Sequence, residues 1–210
     1  MTSTAPSHSN SKVFAIVLAG LTWVSIGVQY YLGTGSAINF FSFFTIQCNL
    51  LIAISLTISA LSPESGPGRF FSSLSVQSAI ALYIFIVCLV YNLVLRGMFD
   101  LTGWHWIVDN MLHVVIPVLY ILYWLYFRSS GTLHWRDSLY WIIFPFLYLA
   151  YSLCRGSIVQ WYPYPFLHAT NLGYSTVLTN IGMIIVVFLM AGAGLIFITR
   201  ASDSNVTGSN

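Results

Sequence analysis

An all-α, polytopic membrane protein with six transmembrane helices is the fold class this sequence predicts, and three observations carry it. Hydrophobic residues make up 58% of the 210 residues and charged ones only 6%, against roughly 25% charged in a soluble domain. Such a chain cannot cover a water-facing surface. Mean hydropathy is +0.82, and the apolar residues fall in continuous runs rather than alternating, which fits spanning helices and not barrel strands. Each run is close to the ~20 residues that cross the hydrocarbon core of a bilayer.

In chain order, residues 1–12 are rich in Ser, Thr and Pro and read as a disordered cytoplasmic tail. The transmembrane domain follows over residues 13–200, and residues 201–210 form a second cytoplasmic tail. The first run, Val13–Leu32, is too long for the apolar core of a cleaved signal peptide, roughly 7 to 15 residues. Gly33, Gly35 and Ser36 turn the chain into a second run, Asn39–Leu61, which ends at the breaker-rich segment around Pro63, Gly66 and Pro67. Leu74–Leu95, Ile107–Phe127, Leu139–Cys154 and Tyr174–Thr199 complete the set. An even number of spans puts both termini on one side. The termini and the loops on their side carry Lys12, Arg69, Arg128, Arg136 and Arg200, against Arg96 and Arg155 opposite. This bias predicts cytoplasmic termini in a multi-pass protein of the plasma membrane. Asn205 opens a glycosylation sequon that this topology leaves in the wrong compartment.

Net charge is +2 and spread over the loops, so there is no electrostatic footprint for nucleic acid. Cys48, Cys88 and Cys154 all fall within apolar runs without CxxC spacing and read as small core residues; no metal site is predicted. No cofactor is predicted either. Haem would need histidines facing each other across the bundle, and only His113 lies well inside a run. Tyr123, Trp124, Trp135, Tyr140, Trp141, Trp161 and Tyr162 read as interface aromatics.

The informative residues are polar ones inside apolar runs. Asp109, Asn110 and His113 occupy one side of the fourth run by their i, i+3 and i, i+4 spacing. Ionisable groups at membrane depth are costly and by default point to function. Thr45, Gln47 and Asn49 lie about two to three turns into the second run as read. With Arg96, Arg155 and Tyr164 near span ends, these residues are expected at one depth in the outer half. Each also has a plain alternative. Thr45 can bond the Phe41 carbonyl, Asn49 can join helices, Arg96 and Arg155 can snorkel, and Asp109 with His113 can be a structural pair. The chemistry they offer is acyl transfer, with Thr45 as nucleophile, His113 as base, Asp109 orienting the base, and Asn49 or a guanidinium steadying an oxyanion. Asn49, Asn110, Arg96, Arg155 and Tyr164 are the expected substrate-binding groups. The competing reading is a small-molecule or proton-coupled transporter in which the same groups form a relay.

The segments FFTIQCNLL (43–51), DNMLHVVIP (109–117) and WYPYPFL (161–167), the last followed by Gly173, resemble the Pr6Pr-type bacterial six-helix membrane proteins. More distantly they are similar to the animal androgen-induced family of intramembrane threonine hydrolases. The resemblance extends from about Phe14 onward. It implies a threonine nucleophile at Thr45, an essential histidine at His113, and a fatty acyl ester as the lipid substrate.

Overall fold

In the computed structural model, residues 8–98 and 100–207 are described, apart from the side chains of His8 and 202–207. Among these residues there are helices and no strands. The expectations for the two tails fall partly outside them, on residues 1–7 and 208–210, and the side chain of Asn205 is likewise undescribed. Within them, the first helix already begins at His8 and the last continues to Thr207.

The helices are α1 (His8–Leu32), α2 (Ala37–Phe41), α3 (Phe44–Leu61), α4 (Gly66–Phe71), α5 (Leu74–Val90), α6 (Gly103–Asn110), α7 (Ile116–Phe127), α8 (Trp135–Val159) and α9 (Ala169–Thr207). Two π-helical turns extend or join them: Tyr91–Leu95 prolongs α5, and Met111–Val115 welds α6 to α7. A short 3₁₀ turn, Pro165–Leu167, precedes α9. Six of the resulting helices are long and apolar enough to cross a membrane: Ser9–Leu32, Phe44–Leu61, Leu74–Leu95, Gly103–Phe127, Trp135–Val159 and Ala169–Ala201. The protein is an all-α, multi-pass membrane protein.

The described residues form two compact units, one comprising those up to Phe40 with those from Thr45 to Ser130, the other Phe41–Phe44 with those from Gly131 onward. In the first unit α7 packs against α1 and α5. Its core includes Leu18, Ile52, Leu82, Leu112, Ile116 and Trp124, all buried. Trp124 is 1% exposed and Nε1 donates to Ser78 Oγ at 2.9 Å. It is a core residue and not an interface anchor, because its indole N–H has found a buried acceptor. The side chain of Ser65 caps α4 by accepting from the Gly68 N–H, as a serine before a helix with proline in its first turn is suited to do.

In the second unit α8 packs on α9. Asp137 opens α8 by accepting from the His134 N–H at 2.7 Å, and Gln160 closes it in the left-handed conformation, φ 54°. Trp141 and Tyr162 are buried here, again core rather than interface. Cys154 is exposed, so it is not the core residue expected of it. α9 turns at Gly173, φ 75°, a conformation in which a side chain is disfavoured.

The expected second span differs most. A break at Ser42–Phe43 separates α2 from α3, and no Gly or Pro marks it in the sequence. Instead of continuing a helix, the Ser42 carbonyl accepts from Tyr148 Oη at 3.1 Å and the Ser42 hydroxyl bonds Tyr151 Oη at 2.7 Å. Phe43 and Phe44 pack on Trp161, Tyr164, Phe144 and Tyr148 of the same unit. Thr45 is therefore the second residue of α3 rather than two to three turns inside a span.

Candidate active site

Pro117 shapes the local backbone at the site. Lacking an N–H, it cannot bond a carbonyl one turn back, and its ring crowds the carbonyl of residue 113. The helix answers with the π turn Met111–Val115, closed by the Ile116 N–H donating to the Met111 carbonyl; such turns are frequent at functional sites. The next π bond would run from residue 117 to the Leu112 carbonyl, and proline cannot make it. That carbonyl accepts instead from Asn49 Nδ2 of α3 at 3.1 Å. The same amide nitrogen donates to the Thr45 carbonyl at 2.8 Å. Asn49 thus ties the turn bearing His113 to the turn bearing Thr45.

Across this junction Thr45 Oγ1 lies 3.2 Å from His113 Nε2. On its other side the imidazole has two acceptors: the Asp109 carbonyl is 2.8 Å from Nδ1 and the Asp109 carboxylate 3.1 Å from it. Two oxygens on Nδ1 assign the hydrogen to that nitrogen. In the neutral ring Nε2 is then an acceptor facing the threonine hydroxyl. Tyr91, from the other π turn, donates its hydroxyl to Asp109 Oδ2 and stacks on the His113 ring with centroids 4.3 Å apart and planes 16° off parallel. Arg96 sits over the Tyr91 ring at 5.3 Å and donates to Asn110 Oδ1 at 3.1 Å, while Asn110 donates to the Trp106 carbonyl.

The cluster is buried on one side and partly open on the other. Thr45 is 5% exposed and Asn49 fully buried. The His113 and Asp109 side chains retain 15% and 14% exposure. A half-open cavity of about 280 Å³ is lined by Tyr91, Arg96, Asp100, Trp106, Asp109 and Asn110 among others. Among the described residues, no three His, Cys, Asp or Glu side chains gather so as to hold a metal ion.

Of the residues singled out in the sequence, the structure brings Thr45, His113, Asp109, Asn49, Asn110 and Arg96 into one hydrogen-bonded cluster in the first unit. Arg155 and Tyr164 belong to the second unit. There Arg155 lies over the Trp161 ring at 4.9 Å and Tyr164 stands edge-on to Phe43 at 5.7 Å. Asn49 differs from expectation in role. Both amide hydrogens are committed to backbone carbonyls, leaving none for an oxyanion; its Oδ1 is buried without a hydrogen-bond partner. Tyr91 was not foreseen, because a tyrosine near the end of an apolar run looks like any interface aromatic. The nearest signal is its place five residues before Arg96, which puts both on the last turns of one span. Comparison of the chain with known protein families, with curated proteins and with solved structures finds no match.

Proposed function

We propose that this protein is an intramembrane hydrolase of fatty acyl esters, with Thr45 as nucleophile, His113 as base and Asp109 orienting the base. The observation that carries this reading is the 3.2 Å approach of Thr45 Oγ1 to His113 Nε2, with two Asp109 oxygens on the opposite nitrogen, Nδ1. A hydroxyl becomes a useful nucleophile only with such a base in reach. In the acylation step Thr45 Oγ1 bonds to the ester carbonyl carbon while its proton passes to Nε2. Collapse of the adduct breaks the bond to the leaving oxygen, which takes that proton and departs as an alcohol. Water then adds to the acyl carbon and gives a proton to Nε2. Cleavage from Thr45 returns the proton to the threonine and releases the fatty acid. Asn49 takes no part in stabilising the oxyanion, since both its amide hydrogens are committed to carbonyls.

Burial of Thr45 within a multi-pass membrane protein favours a substrate that arrives from the lipid, so the partners are membrane lipids and a lipid-like ester. The resemblance of the three segments to the Pr6Pr-type and androgen-induced families supports the same assignment of Thr45 and His113. The basic-residue bias supports both termini being cytoplasmic.

The test is turnover of a long-chain ester by purified protein in detergent, with Tm measured alongside. Thr45→Ala and His113→Ala are each expected to lower kcat by about 10³-fold or more while the fold persists. Turnover per folded molecule unchanged in either variant removes the reading. The half-open cavity beside Arg96 and Asp109 favours one alternative, a small-molecule or proton-coupled transporter. Proton flux into liposomes that His113→Ala abolishes, without ester cleavage, would establish that alternative.

A further inference from the structure

We propose that Tyr91 is a positioning residue that holds the Asp109–His113 pair in its working geometry, an inference that rests on the hydrolase reading. Asp109 has one oxygen turned to His113 Nδ1; the Tyr91 hydroxyl donates to the other, Oδ2, which fixes the plane of the carboxylate. The Tyr91 ring lies nearly parallel to the imidazole, centroids 4.3 Å apart, and so fixes the plane in which Nε2 meets Thr45 Oγ1. One side chain thereby sets the orientation of both groups. Its own position is held from two directions. The π turn that begins at Tyr91 is closed by the Arg96 N–H donating to the Tyr91 carbonyl at 2.7 Å, and the Arg96 guanidinium covers the ring at 5.3 Å. Tyr91 also lines the half-open cavity, so it is a wall between that opening and the imidazole on which it stacks. A tyrosine serving only to pack would not need its hydroxyl on a carboxylate that already serves a histidine.

Two variants separate the hydroxyl from the ring. Tyr91→Phe keeps the stack and loses the donor; Tyr91→Leu loses both. The expected result is a fall in kcat of about ten- to a hundredfold in Tyr91→Phe, with KM and Tm close to those of the unmodified protein. Tyr91→Leu should fall further. Nitrogen-15 spectra of the imidazole of His113, identified by difference against His113→Gln among the five histidines, supply a readout that needs no turnover. In the unmodified protein they should carry the signature of a hydrogen on Nδ1, weakened in Tyr91→Phe and replaced by a mixture of tautomers in Tyr91→Leu. That progression supports the assignment even if no ester is cleaved, which would count against the hydrolase alone. Identical His113 spectra in all three proteins, or measurable turnover per folded molecule that both variants leave unchanged, would overturn it.

Discussion

Replacing Asp109 by asparagine changes one atom and separates the two oxygens that act on His113 Nδ1. The backbone carbonyl of residue 109, at 2.8 Å, survives the change; the carboxylate oxygen at 3.1 Å becomes part of a neutral amide. In a serine triad, where the carboxylate alone holds the tautomer, the equivalent change costs about 10⁴ in kcat because the base is left in the wrong tautomer. Here the carbonyl continues to accept from Nδ1, so the tautomer is only partly lost. What disappears in full is the negative charge that stabilises the imidazolium formed as Thr45 gives up its proton. The expected fall in kcat is therefore intermediate, about 10²-fold, equivalent to ~2.7 kcal/mol of transition-state stabilisation. KM should change little, since the carboxylate acts through His113 Nδ1. The assay is steady-state cleavage of a long-chain ester in detergent, with Tm measured on the same preparations. A kcat within about threefold of the unmodified protein would refute the claim that the Asp109 carboxylate works through His113, and a full 10⁴-fold loss would refute the share given to the backbone carbonyl.

Three further outcomes follow from packing and topology. A Cβ at Gly156 would stand 2.1 Å from the Tyr162 ring, so Gly156→Ala should lower stability by about 1–3 kcal/mol, read as a lower Tm and relieved in part by Tyr162→Leu. Trp124→Phe removes the bond to Ser78 Oγ and leaves a gap in the core of the first unit, with an expected loss of about 1–3 kcal/mol; a Tm unchanged within error would contradict the place given to that indole. A reporter fused after Arg200 should read out as cytoplasmic, and an extracytoplasmic signal would reverse the topology.

Helix class and span number were legible from the sequence because they rest on length and hydropathy, which lipid constrains strongly. Asp109, Asn110 and His113 were legible for a related reason, since polar groups stand out in an apolar run. Their pairing with Thr45 across two helices was available only as an expectation from common depth. The break before Thr45 was not legible. It comes from the Tyr148 and Tyr151 hydroxyls of a distant helix capturing Ser42, and nothing local to Ser42 announces it. The π turn at His113 was half legible: Pro117 marks a disturbance, but its form depends on Asn49 reaching the Leu112 carbonyl from another helix. Arg155 and Tyr164 were grouped with the site because they too sit at span ends, a criterion that fixes depth and says nothing of which neighbours a side chain meets; the neighbours each has in the second unit came only from the structure. Trp124 and Trp141 misled. An aromatic near the end of a run has the same sequence whether it faces headgroups or, as both do, the protein core.

The most direct measurement is the site of covalent capture by an acylating or fluorophosphonate probe, read by peptide mass spectrometry on the purified protein. The hydroxyl 3.2 Å from His113 Nε2 should carry the adduct. Modification is expected at Thr45, to be lost in Thr45→Ala and strongly slowed in His113→Ala. An adduct on another residue, or labelling of Thr45 that proceeds equally fast without His113, would contradict the nucleophile–base pair at the centre of this site.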